Sequence, residues 1–340
     1  MLLTSVRCTL RPLYSLSSAS SLAAGRRAMS SSFGANTYFL NPAELNTALK
    51  KNVHSKLSTA PKIIPLCASW FLPNDGRDGY ETFKAARIPH ARFFDLDTIK
   101  DPDSPYPHML PSPEDFAQAM GKLGIRRDDD VVVYDTQELG IFSAPRVAWT
   151  LQVFNHPNIH ILNNFRTWVE EGYPIESGEP VPVEPVDYPV SELDKSKVVA
   201  FEEVREIAKE QGKEGAEEVQ ILDARSAGRF NGIDPEPRED TGLSSGHIPH
   251  SISVPFTDLV DPNTKTLYPP AELKKIFESK SIDPSKPIIS SCGTGVTAAV
   301  IDVALQRAGF PPEKRRLYDG SWTEWAQRVM PSDNLIKKTE

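Results

Sequence analysis

The strongest constraint on this 340-residue chain is an internal repeat. Ile63-Ile64-Pro65-Leu66-Cys67-Ala68-Ser69 is answered by Val219-Gln220-Ile221-Leu222-Asp223-Ala224-Arg225, and Arg87-Ile88-Pro89-His90-Ala91 by His247-Ile248-Pro249-His250-Ser251. Val131-Val132-Val133-Tyr134-Asp135 is answered by Pro287-Ile288-Ile289-Ser290-Ser291-Cys292, and Phe165-Arg166-Thr167-Trp168 by Trp322-Thr323-Glu324-Trp325. The offsets are 156, 160, 157 and 157 residues, and 33 residues separate Asp135 from Trp168 just as they separate Cys292 from Trp325. Spacing held over four landmarks means two copies of one domain, and the length has room for roughly two.

Within each copy, short apolar runs alternate with helical stretches. Pro113 to Leu123 and Pro270 to Phe277 read as helices with proline near their starts, and Thr297 to Leu305 as one that ends near Gly309. Continuous apolar strands separated by helices predict an α/β fold. Each of the two tandem domains is expected to be a mostly parallel sheet with helices on both faces and its site beyond the carboxyl ends of the strands. Pro180, Pro182, Pro185 and Pro189 mark an extended linker. The expected division is a leader over 1–34, a first domain over 35–178, the linker over 179–197, a second domain over 198–330 and a tail over 331–340.

The leader has no Asp, Glu or Lys but carries Arg7, Arg11, Arg26, Arg27 and many serines, the composition of a mitochondrial transit peptide. Met29 offers a second start that would give a cytosolic form. The net charge of -8 argues against wholesale binding to a nucleic acid backbone, and no apolar run is long enough for an ordinary membrane-spanning helix. Three cysteines, Cys8, Cys67 and Cys292, rule out a disulfide framework or a four-cysteine zinc site. His156 and His160 have helical spacing, but Pro157 between them reads as a loop, so no metal site is expected there.

The chemistry gathers around Cys292. Ser291-Cys292-Gly293-Thr294-Gly295-Val296-Thr297 joins a strand to a helix, and its two glycines let the backbone curl with N–H groups turned inward. Such a nest, with a helix N-terminus behind it, favours an anion. Cysteines so placed ionise at pH values lowered from about 8.5 to roughly 3.5–7.5, so a thiolate is expected without a histidine base. Phosphate-ester hydrolysis is disfavoured: position 298 is Ala298 where a phosphate-gripping loop needs arginine, and the loop holds no cation. Sulfur transfer through a persulfide remains. The first copy has Asp135 where the second has Cys292, so it is expected to be catalytically silent.

The chain resembles the two-domain sulfurtransferases of the rhodanese superfamily, and within them the 3-mercaptopyruvate class, over about Tyr38 to Trp325. In that class the loop reads Cys-Gly-Ser/Thr-Gly-Val-Thr, matched by residues 292 to 297. Thiosulfate-preferring members carry an Arg-Lys pair after the cysteine, so the resemblance implies a keto-acid donor and weaker thiosulfate activity. It assigns Arg229 and Arg238 to the donor's carboxylate and carbonyl, for which a bidentate guanidinium is well suited. Gly293, Gly295, Val296 and Thr297 form the donor-facing loop, and Thr294 offers a hydroxyl to the sulfur or the leaving enolate. Some relatives place a relay histidine in a His-Ile-Pro segment of the first domain; here that position is Arg87, with His90 beyond it. Arg87 then brings its charge either to the interdomain cleft or to a neighbouring acid.

No metal or organic cofactor is implied. The implied acceptors are a small thiol, a thioredoxin, cyanide or a partner protein. Arg87-Ile88-Pro89, Ser104-Pro105-Tyr106-Pro107-His108-Met109 and the segment from Leu317 to Trp325 resemble a fungal branch linked to thiolation of wobble uridine in transfer RNA. That likeness implies a relay loaded by a cysteine desulfurase and discharged to an E1-like activating enzyme with its own rhodanese domain, without direct contact to RNA. A non-catalytic binding module is the third class. Arg225 reads as structural, paired with Asp223; Trp168, Trp322 and Trp325 read as core anchors, and Lys314-Arg315-Arg316 as a solvated turn.

Overall fold

The computed structural model describes residues 31–34, 37–52, 59–237 and 242–339. Cys8 and Met29, with most of the arginine-rich leader, and Arg238 lie outside the described residues. Strands β1 (Phe39–Leu40), β2 (Ile63–Cys67), β3 (Arg92–Phe93), β4 (Asp130–Tyr134) and β5 (Ile159–Leu162) form one sheet in the order β1-β5-β4-β2-β3. Strands β6 (Val198–Val199), β7 (Gln220–Asp223), β8 (Ile252–Ser253), β9 (Ile288–Ser291) and β10 (Arg315–Tyr318) form a second in the order β6-β10-β9-β7-β8, the same topology again. Every strand pair is parallel. This is the expected α/β architecture, and the near-continuous apolar strands are explained by helices on both faces.

In the first repeat the helices are α1 (Pro42–Leu49), α2 (Gly79–Ala85), α3 (Pro113–Lys122), α4 (Ala144–Val153) and α5 (Phe165–Glu170). In the second they are α6 (Phe201–Glu210), α7 (Ala227–Asn231), α8 (Pro270–Ser279), α9 (Ala298–Arg307) and α10 (Ser321–Arg328). Local chemistry sets their ends. Ser112 caps α3 by accepting the Asp115 N–H, Pro113 fits its first turn, and Gly309 at φ +88° follows α9. Helices α4 and α9 are apolar almost all round because they pack on each other between the sheets, and one hydrophobic core runs through both repeats.

The repeats also meet through reciprocal polar contacts. The Leu110 N–H donates to Asp319 Oδ2 at 2.9 Å, and its repeat counterpart, the Leu267 N–H, donates to Asn163 Oδ1 at 2.9 Å. His90 and His250 both turn at φ near +60°, as do His108 and Lys265 at matching positions. Trp168 and Trp325 are buried anchors whose indole N–H groups bond the carbonyls of Pro174 and Leu335. The proline-rich segment runs along the first repeat, with the Val186 N–H on the Gly121 carbonyl and Tyr188 buried. Residues after α10 fold back, pairing Lys337 with His247.

Of two basic residues read from the sequence, Arg315 sits differently from expectation and Arg87 takes the second of its two expected places, beside an acid. Arg315 is not in a solvated turn: it opens β10, buried, with Nη1 on Asp302 Oδ1 at 2.6 Å, because parallel pairing with β9 draws it inside. Arg87 is away from the cleft. Its side chain is buried over the Phe83 ring, donates to the Gly178 carbonyl at 2.6 Å and faces Glu176, which closes the end of the first repeat.

Candidate active site

The site is built where β9 ends. Cys292 follows the strand, and α10 draws the outer side of the loop toward itself. The Trp322 N–H binds the Cys292 carbonyl at 2.9 Å, while the Thr323 N–H and hydroxyl bind the Gly293 carbonyl at 2.9 and 2.8 Å. With the carbonyls held outward, the amides of Gly293 through Thr297 have no acceptor among the described residues. The loop is tight: Gly295 turns at φ +78°, and a Cβ there would lie 2.7 Å from Arg146 Nη1 and 2.8 Å from the Asp319 carbonyl oxygen. A Cβ at Gly293 would press on Arg229 at 3.0 Å.

The first repeat is an internal control for what this position prefers. Asp135, the counterpart of Cys292, accepts the N–H groups of Phe142, Ser143 and Ala144 at 2.8, 3.0 and 2.9 Å, and the Ser143 hydroxyl at 2.7 Å. Burial pushes its carboxyl up to about 6, which leaves it ionised at neutral pH. In the first copy, then, the residue after the central strand fills a ring of main-chain amides at a helix start with its own carboxylate. In the second, Cys292 holds the matching position beside loop amides that have no acceptor among the described residues.

Cys292 opens into a cleft of about 270 Å³ between the repeats, lined on one side by Trp70, Leu72 and Phe142 and on the other by Arg229, Glu236, Thr294, Val296 and Thr297. Arg229 lies at the loop with its side chain mostly buried and is held by Glu236 through Nε at 3.1 Å and through Nη2. Glu236 is held from behind by Arg225 Nη1 at 2.8 Å, and Arg225 grips Asp223 and stacks on Trp322 at 4.2 Å. Arg225 is therefore structural, as its place beside Asp223 suggests. It is the rear wall that aims Arg229.

Sequence reasoning missed the polar chain facing the loop from the first repeat. His108 Nδ1 lies 3.0 Å from Thr294 Oγ1, and its Nε2 lies 3.1 Å from Asp97 Oδ1. Asp97 also accepts the Trp70 indole N–H at 3.0 Å, and the His108 hydrogen bond holds its carboxyl below the usual range. The His108 carbonyl is gripped by Arg146 Nη2 at 2.5 Å, and the same nitrogen reaches Asp319 at 2.6 Å, tying the two repeats together beside the loop. A histidine does face the loop from the first repeat, but it is His108 rather than a residue of the Arg87-to-His90 segment.

The remaining candidates resolve simply. Cys67 is buried, and that burial pushes its thiol up to about 12, so it carries no nucleophile at neutral pH. His156 is lowered to about 4 by burial and bonded to Tyr188 and the Asp129 carbonyl, which makes it a neutral core histidine. Among the described residues no cluster of His, Cys, Asp or Glu suits a metal ion, and no helix is long and apolar enough to cross a membrane.

A cysteine on a glycine-rich loop, opened to a cleft with an arginine and a hydroxyl–imidazole–carboxylate chain, has the make-up of a thiol-based group-transfer site. A model of the rhodanese-like domain matches residues 204–328. The chain is 44% identical over 285 residues to the thiosulfate sulfurtransferase TUM1 of Saccharomyces cerevisiae, covering 79% of this chain and 90% of that protein. It is 41% identical to a probable 3-mercaptopyruvate sulfurtransferase of Schizosaccharomyces pombe, covering 84% and 94%. The structure of a sub-stoichiometric sulfur transferase subunit of yeast mitochondrial complex I superposes with a TM-score of 0.77 at 41% identity, covering 89% of this chain and 100% of that one. The chain belongs to the rhodanese family of two-domain sulfurtransferases.

Proposed function

We propose that the protein takes sulfur from 3-mercaptopyruvate onto Cys292 and passes it to a thiol acceptor. The Cys292 thiolate attacks the donor's thiol sulfur and the C–S bond breaks, with its electron pair going to the enolate of pyruvate. The proton of the former thiol moves to the enolate carbon by way of Thr294 and His108, leaving an ionised persulfide in the loop amides and releasing pyruvate. A second thiolate then attacks the outer sulfur and restores Cys292. Arg229, held by Glu236, and Arg238, outside the described residues, are assigned to the donor's carboxylate and carbonyl.

The observation that carries this choice of donor is the 3.0 Å contact between Thr294 and His108. An enolate needs a proton delivered at carbon, whereas sulfite leaving from thiosulfate needs none, and the loop offers that dianion no cation of its own. Forgoing one charge-assisted hydrogen bond costs about 1.5–3 kcal/mol. In steady-state assays with cyanide as acceptor, kcat/KM for 3-mercaptopyruvate is therefore expected to exceed that for thiosulfate by about tenfold or more. A preference for thiosulfate would overturn the assignment. The acid-free, arginine-rich leader supports action in mitochondria, as does the likeness to a subunit of a mitochondrial complex.

A further inference from the structure

The silent repeat keeps an anion where the active repeat keeps its cysteine, and that anion is wired to the active site. The Ser143 hydroxyl donates to Asp135 and at the same oxygen accepts the Trp70 main-chain N–H at 3.0 Å, fixing Trp70. The Trp70 indole holds Asp97, and its ring meets the His108 ring edge-on at 4.7 Å between centroids. The three amides bound by Asp135 lie at the start of α4, whose first turn carries Arg146. Arg146 reaches the His108 carbonyl, and its Nη1 abuts Gly295 of the sulfur-binding loop. Two separate routes thus lead from one buried carboxylate to His108.

We propose that Asp135, the repeat counterpart of the catalytic cysteine, is a positioning residue that sets His108 against Thr294 across the domain boundary. The duplicated nest has kept its anion and turned it to a second use: it orders α4 and Trp70, which in turn hold the relay. The inference rests on the reading of Cys292 as the sulfur-accepting group and of His108 as its proton relay. Asp135 itself touches no reacting atom.

A double-mutant cycle tests this. Asp135→Asn removes the charge at nearly unchanged volume, and Ser143→Ala cuts the link to Trp70 while leaving the carboxylate in place. Each is expected to lower kcat for mercaptopyruvate by about tenfold with KM changed less than about twofold, the signature of transition-state alignment rather than binding. In a His108→Gln background neither should lower kcat further, because both act through that side chain. Equal losses in both backgrounds, or an unchanged kcat in the wild-type background whatever happens to Tm, would overturn the proposal. If Asp135→Asn does not fold, the Ser143→Ala cycle decides the matter by itself. Mass analysis of wild-type protein in the same preparations separates the positioning role from the function it serves. A wild type that gains sulfur but gives an additive cycle loses only the positioning role, and one that never gains sulfur loses the function itself.

Discussion

Changing Cys292 to serine is expected to reduce sulfur transfer from mercaptopyruvate by about 10⁴-fold or more, on the scale seen when a covalent nucleophile is removed from an enzyme. The serine oxygen would sit before the same loop amides, but they stabilise an anion and cannot make an alkoxide from a hydroxyl at neutral pH. Oxygen also cannot hold the transferred sulfur as a persulfide. Among the described residues the other cysteine cannot take over: Cys67 is fully buried at the end of β2, with its thiol pushed up to about 12. The near-isosteric change at a position 2% exposed should leave the circular dichroism spectrum intact. Turnover that survives in the folded variant would place the chemistry elsewhere, or make the domain a binding module whose cysteine is incidental.

The second large effect is expected at His108. Positioned proton transfer contributes about 10²–10⁴-fold to catalysis, and His108→Gln should lower kcat within that range while KM moves little. Glutamine fills most of the same space beside Trp70 and Asp97 but cannot take up and give back a proton. Thr294→Val removes the hydroxyl at the other end of the 3.0 Å contact and should cost a similar amount. The two losses should not add, because both break one path. An unchanged kcat in either variant would show that the enolate takes its proton from water, and the preference for a keto-acid donor would then need another cause.

Much of this was legible in the sequence because duplication fixes spacing. The parallel sheets, helices α3, α8 and α9 and the matching of Asp135 to Cys292 all follow from short-range patterns in the sequence. Arg225 could be read as structural because its partner Asp223 is two residues away. What the pattern does not state is how the copies face each other. His108 lies 186 residues from Thr294, and the packing of the two repeats, α4 against α9 among their contacts, brings them together. The repeat does hold a hint: His108 and Lys265 occupy matching loop positions with φ near +60°, and a Cβ at Gly140 would meet Lys265 at 2.3 Å. Each repeat therefore extends one residue over the other's central loop, and in the active direction that residue is a histidine. Arg315 misled for the converse reason, since a charge written in a turn-like segment is read as solvated until a buried acid, Asp302, is found beside it.

The most direct measurement is the intact mass of the protein after brief exposure to 3-mercaptopyruvate, followed by peptide mapping under non-reducing conditions. Wild-type protein should gain one sulfur atom on the peptide that carries Cys292, lose it on adding a thiol acceptor, and release pyruvate in equal amount, while the Cys292→Ser protein gains none. Pyruvate release without any sulfur on Cys292, or sulfur carried on Cys67 instead, would contradict the account.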